Sequence, residues 1–249
     1  MVDTIISIKE LSKTYVNGAV KTPVLFGLNL DIERNSFTAL IGPSGSGKST
    51  LLNCLGLLEP PTSGSILIDG KDYAGLNVNS LATFRNDCIG FVFQFHYLLP
   101  EFNCIENILM PSWIKEGKPT KELVAETEKL MKRIGIFEIK DKFPDQISGG
   151  QQQRISIARA LVNKPKIIFA DEPTGNLDSE TGVKVLELMK EINRENNTTL
   201  VMVTHDREVA IKADMIVELV DGKLCRSLDL KGTTLAEAEK ELEKRACKL

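Results

Sequence analysis

The spacing of apolar and polar positions divides the chain into an α/β core interrupted by a helical stretch. Val24, Phe26, Leu28, Leu30 and Ile32 alternate with Leu25, Gly27, Asn29 and Asp31, the period of two expected of a half-buried strand. Thr4–Ile8 reads as an earlier strand. "FTALI" (37–41) is a short apolar run stopped by glycine, the pattern of a strand buried on both faces. Lys48–Leu58 then has apolar residues at helical spacing and is ended by "EPPTSG"; Ser65–Ile68 and Gly90–Phe93 are further short strands.

The middle changes character. Pro119–Thr120 opens a helix with Leu123, Leu130, Met131 and Ile134 on one face, and Gly135 is placed to end it. With a second helix after Gly150, residues from about 96 to 160 are expected to be mainly helical. Strand and helix patterns alternate again through "KIIFA" (166–170), Ser179–Asn193, "TTLVMVT" (198–204), "DREVAIK" (206–212) and "MIVELV" (215–220), with a turn at Asp221–Gly222. Such alternation implies a largely parallel sheet covered by helices. The expected organisation is one domain over 1–249: a core of about 1–95 and 161–228, a helical subdomain of about 96–160, and a tail of about 233–249. In that tail, Thr234–Ala246 is charged with a thin stripe of Leu235, Ala238 and Leu242, which suits a packed surface helix or a partner-binding one.

Composition narrows the class. At 249 residues, 42% hydrophobic and 26% charged, the chain has the balance of a soluble globular protein with a substantial core. A net charge of −3 argues against a broad electrostatic grip on nucleic acid. Five cysteines (Cys54, Cys88, Cys104, Cys225 and Cys247) include no Cys-x-x-Cys pair, so neither a disulfide framework nor a zinc site is indicated, and reduced thiols are expected. No apolar run approaches the roughly 18 residues of a membrane helix. The start "MVDTIISIKE" lacks the pattern of a secretory signal. A membrane role would therefore run through another chain.

The chemistry begins at "GPSGSGKST" (42–50): Gly42, Pro43, Ser44, Gly45, Ser46, Gly47, Lys48, Ser49 and Thr50. This fits Gly-x-x-x-x-Gly-Lys-Ser/Thr with the strand before and the helix after that the motif requires. Glycines let backbone N–H groups turn inward on a phosphate, and the helix start adds its positive end. Lys48 is expected to reach the β- and γ-phosphates of a nucleotide, with the Ser49 hydroxyl as a Mg²⁺ ligand. "KIIFA" leads into Asp171 and Glu172, and ligands of parallel sheets lie beyond strand carboxyl ends. Asp171 is thus placed for the metal and Glu172 for an attacking water. His205, one of only two histidines, follows another apolar strand and could hydrogen-bond a γ-phosphate. Gln94 after "FVF" is a weaker signal, since polar residues at strand ends are common.

A second glycine pair in "ISGGQ" (147–151) precedes a helix-forming polar run and resembles another anion cradle. The P-loop, "ISGGQ", the Asp-Glu strand end and the later histidine occur in the order found in ATP-binding cassette (ABC) ATPases. The resemblance extends from about Thr4 to Arg226. It implies an α/β fold: a P-loop NTPase core with a parallel sheet, a small antiparallel β part and an inserted helical subdomain. It also implies an ATPase that uses ATP and Mg²⁺ and works as a head-to-tail pair with a second copy of itself. Each ATP would lie between one copy's P-loop and the other's Ser148, Gly149, Gly150 and Gln151.

By the same resemblance Tyr15 stacks on adenine, and Gln94 touches Mg²⁺ and signals to a membrane subunit. Glu172 is the catalytic base, Asp178 in "GNLD" links the two sites, and His205 is the switch histidine. Ile147, where leucine is commoner, and Gly175–Asn176, before Leu177–Asp178, depart from the family pattern.

"DEPTGNLDS" with "QQQR" is similar to a branch that holds lipoprotein-releasing systems, macrolide and peptide exporters and a cell-division regulator. "FVFQFHYLLPEF" with "ENILMP" looks most like the lipoprotein-releasing members. Partners implied are an integral membrane permease and no nucleic acid, at the cytoplasmic side of a bacterial inner membrane. Aromatics and Leu98–Leu99 beside Gln94 could receive a permease helix or fill the seam with the helical insert. Soluble cassette ATPases acting on DNA or ribosomes usually carry tandem cassettes or a long coiled coil, neither visible here. "NKPK" (163–166) is not the Asn-Lys-x-Asp of a GTPase.

Overall fold

The computed structural model describes residues 3–73 and 76–243. In chain order, the first elements are β1 (Thr4–Asn17), β2 (Val20–Glu33), β3 (Phe37–Ile41), α1 (Lys48–Leu55), β4 (Ser63–Ile68) and β5 (Lys71–Asp72). Next come α2 (Val78–Cys88), β6 (Ile89–Val92), α3 (Cys104–Glu116), α4 (Lys121–Arg133), α5 (Gly149–Leu161) and β7 (Ile167–Asp171). The last are α6 (Ser179–Glu195), β8 (Thr199–Val203), α7 (Arg207–Ala210), β9 (Met215–Val220), β10 (Lys223–Asp229) and α8 (Leu235–Glu243). They form two compact units, residues 1–81 with 199–249, and residues 82–198.

The first unit holds an antiparallel sheet in the order β2-β1-β4-β5 and the run β10-β9-β3-β8. In the latter, β3 pairs in parallel with both β8 and β9, whereas β10 returns antiparallel to β9 through the turn at Asp221 and Gly222. Every residue of β3 and β8 is buried, as central parallel strands require. Asp214 fixes the start of β3, its carboxylate accepting from the Phe37 N–H at 2.7 Å while its own N–H donates to Phe37 O at 2.8 Å.

β1 runs nine residues beyond the expected Thr4–Ile8. Glu10, at φ 49°, forms an irregularity between Ile8 and Leu11 that breaks the simple alternation without ending the pairing. In the tail, Ala238 and Leu242 are buried on α8, and Leu235 is exposed. The Arg226 guanidinium donates to the carbonyls of Glu241 and Leu242 at the helix's end. The rest of the expected tail helix, from Lys244, lies outside the described residues.

The second unit packs α3, α4 and α5 around Cys104, Ile108, Met131, Ile134 and Ile155, beside the parallel pair β6–β7. Thr120 caps α4 as its position predicts, and Gly135 follows the helix at φ 71°. The helix α2 escapes the apolar pattern because none of its residues is buried. Cys54 and Cys104 are buried and stand outside any disulfide. Among the described residues no helix is long and apolar enough to cross a membrane.

Candidate functional site

In the first unit, β3 delivers the chain into the loop Gly42–Gly47 and α1 carries it away. Gly42 sits at φ 147°, and a Cβ there would lie 2.0 Å from the Leu219 carbonyl oxygen on β9, so only glycine fits. Ser46 N–H closes on the Pro43 carbonyl at 3.2 Å, and the Ser46 carbonyl accepts from Gly222 N–H at 3.1 Å. Pro43, Ser44 and Gly45 are exposed along the rim, and Ser46 is buried with its hydroxyl lacking a partner. Gly47 begins α1 in the left-handed region with no side-chain cap and no acidic residue in the first turn. With no side-chain cap and no acid there, the positive end of the helix favours an anion. Lys48 is buried and donates to the carbonyls of Gly42 at 2.9 Å and Pro43 at 2.8 Å, folded over its own loop. Ser49 is exposed and Thr50 half-buried.

Tyr15 comes from β1 with 38% of its surface exposed, its ring 4.9 Å beneath the Lys13 ammonium. Burial pushes its hydroxyl above the ordinary tyrosine value, with Glu59 acting in the same direction and a hydrogen bond with Thr50 opposing it. The aromatic thus neighbours the start of α1. His205 follows β8, which pairs in parallel with β3 up to Leu40 and Val203, so it leaves the same sheet edge as the P-loop. Its side chain is exposed between buried Thr204, whose N–H donates to Leu40 O at 3.1 Å, and Asp206, which caps α7.

The second unit gathers the other candidates. β6 and β7 run in register from Ile89–Ile167 to Val92–Ala170, so Gln94 and Glu172 follow neighbouring strand ends. Asp171 closes β7, and Glu172 turns the chain at φ 43°. A Cβ on Gly175 would lie 3.1 Å from Gln94 Nε2 and 3.3 Å from Glu172 Oε2, so these two candidate side chains flank one glycine. Ser148, Gly149, Gly150 and Gln151 form the start of α5. Ser148 Oγ accepts from Gln151 N–H at 3.3 Å while Gln151 Oε1 accepts from Ser148 N–H at 2.9 Å, a reciprocal capping box. Ser148 and Gly149 are exposed, and the first turn holds no acidic residue. Asp178 caps α6 through Thr181 N–H at 2.9 Å.

Sequence reading missed three supports. Asn176, which in the sequence stands out only as a departure from the family pattern, donates to the Gln94 carbonyl at 3.1 Å. Arg159 on α5 donates to the carbonyls of His96 at 2.6 Å and Tyr97 at 2.7 Å, holding the segment after Gln94. Thr181 stands between Asp178 and Gly150. The only advance signal was polarity at helix-start and helix-interior positions, which is too common to single them out.

The family model described as ABC transporter matches residues 25–175. The chain is 45% identical over 221 residues to the lipoprotein-releasing system ATP-binding protein LolD 1 of Rhodopseudomonas palustris, covering 88% of this chain and 98% of that protein. It is 46% identical over 219 residues to LolD of Anaeromyxobacter dehalogenans, covering 88% and 92% respectively. Among solved structures it resembles the dimeric bacterial ABC transporter cassette MJ0796, with TM-score 0.84 and 42% identity over 91% of this chain and 99% of that one. It also resembles a post-hydrolysis dimer of that cassette bound to ADP and Pi, with TM-score 0.81, 41% identity and the same coverage.

Proposed function

Because this chain belongs to the ABC transporter family, we propose that it is the ATP-hydrolysing subunit of a lipoprotein-releasing transporter. The observation that carries the nucleotide site is the uncapped start of α1 with Lys48 folded over the Gly42–Gly47 loop. On ATP binding, the Lys48 ammonium exchanges its loop carbonyls for β- and γ-phosphate oxygens, and the α1 N–H groups take the remaining charge. Tyr15 covers the adenine face.

Ser49, Gln94 and Asp171 carry the hard oxygen donors that Mg²⁺ prefers, and by the family pattern they would hold that ion. When bound, Mg²⁺ would neutralise charge on the phosphates. Glu172 accepts a proton from the attacking water as its oxygen bonds to the γ-phosphorus and the bridging P–O bond breaks toward ADP. By the family pattern His205 hydrogen-bonds the γ-phosphate.

Ser148, Gly149, Gly150 and Gln151 serve a neighbour. The uncapped site of one copy and the α5 start of a second copy enclose one ATP, and Asp178 links the paired sites. ATP then favours the closed pair, and phosphate release removes part of the bridge. This cycle drives an integral membrane permease from the cytoplasmic side of the inner membrane. The similarity to LolD proteins supports a lipoprotein as cargo.

Solubilising membranes in detergent and purifying this chain tests the reading. A permease should co-purify, and the reconstituted complex should extract an acylated lipoprotein from vesicles only with ATP and intact Lys48. Recovery without a membrane protein, together with tight binding to DNA or ribosomes, would contradict it.

A further inference from the structure

Two adjacent glycines in "SGGQ" have different neighbours within the chain. A Cβ added at Gly149 meets nothing within 4 Å, whereas one at Gly150 would lie 2.7 Å from the Thr181 Cγ2 methyl. Gly150 is helical and needs no unusual φ, so backbone freedom does not explain the glycine. Thr181 also meets Asp178, the cap of α6, donating its N–H to the carboxylate at 2.9 Å. Its hydroxyl joins in that bond. A β-branched side chain has few χ1 options, and turning this one away from a larger residue at 150 would withdraw the hydroxyl from Asp178.

We propose that Thr181 is a positioning residue that ties Gly150 to Asp178, so that the anion-binding start of α5 and the start of α6 keep one spacing. Gly150 is then required for internal packing, apart from any approach of a partner's nucleotide. The methyl sets the distance and the hydroxyl sets the orientation. The significance for catalysis rests on the paired-site reading above, but the contact itself does not.

Two measurements separate these levels: the melting temperature of the nucleotide-free protein, and ATP-dependent dimerisation in a Glu172→Gln background. Thr181→Ser keeps both bonds to Asp178 and removes the methyl, so it should dimerise within about twofold of the parent. Gly150→Ala should lower the melting temperature and weaken dimerisation at least tenfold. The double variant should recover both, since alanine is the better helix former once the methyl is gone. Thr181→Val, which keeps the methyl and loses the hydroxyl, should fold normally and dimerise several-fold more weakly.

A double variant as impaired as Gly150→Ala would overturn the proposal. So would recovery of melting temperature without recovery of dimerisation, or full dimerisation by Thr181→Val. If the parent itself does not dimerise with ATP, the paired-site reading fails, and the melting temperatures alone decide whether Thr181 is what excludes a side chain at 150.

Discussion

The Asn176 side-chain amide donates a 3.1 Å hydrogen bond to the backbone carbonyl of Gln94, tying the turn after Glu172 to the strand end that carries the glutamine. Asn176→Ala should therefore loosen Gln94 and lower ATP turnover several-fold. The cost in stability should be about 1 kcal/mol or less, because the bond is exposed. Gly175→Ala should act more strongly, since the new Cβ presses on Gln94 at 3.1 Å and Glu172 at 3.3 Å. Turnover on the order of tenfold below the parent is expected from misplacing reacting groups by a fraction of an ångström. Steady-state hydrolysis measured beside thermal unfolding checks both variants.

Gly42 and Gly45 both have positive φ, yet they differ in space. A side chain at 42 collides with the Leu219 carbonyl at 2.0 Å, and one at 45 meets nothing within 4 Å. Gly42→Ala should abolish nucleotide binding and destabilise the protein by several kcal/mol, combining φ strain with overpacking. Gly45→Ala should cost about 1–2 kcal/mol from conformation alone and retain weakened binding. Fluorescent-nucleotide titration with denaturant unfolding distinguishes the two.

How much of this was legible beforehand depended on the kind of signal. Apolar runs such as Phe37–Ile41 are read directly because burial of the whole strand leaves Thr38 as its sole polar residue. The P-loop was legible because its chemistry needs glycines and a lysine at fixed spacing. The continuation of β1 past Ile8 was not, because an irregularity at Glu10 shifts the register and breaks the alternation. Nor was α2, which buries nothing. Asn176 and Thr181 act through backbone groups and packing created only by the fold. "SGGQ" reads as an anion cradle, and its Ser148–Gln151 capping box shows how the same letters also start a helix in a single chain.

Burial holds the thiols of Cys54 and Cys104 up at about 11, where they are almost entirely protonated near neutrality. Thiolate is the reactive form. Iodoacetamide at pH 8 should leave both unmodified in the native protein and label both after unfolding in guanidinium. Mass spectrometry of the peptides reads the outcome directly.

The Asp178 carboxyl is held below the ordinary aspartate value, first by the Thr181 backbone N–H and then by its side chain. A depressed folded pKa means that the stabilisation is complete above the unfolded value, near 4, and is lost as pH falls through the lower folded value. Asn caps as well as Asp. Asp178→Asn should therefore leave the melting temperature at pH 7 nearly unchanged and make its decline between pH 4 and 2 shallower. Melting curves across that window test the sign.

The central claim is that one ATP is enclosed by Lys48 of one copy and Ser148 of another. Glu172→Gln should bind ATP with little turnover, and sedimentation should show its mass double on adding ATP. Adding Ser148→Arg should return that variant to a monomer while leaving ATP affinity at the P-loop within about threefold. A Glu172→Gln protein that stays monomeric with ATP, or one that pairs equally well with arginine at position 148, would contradict the account.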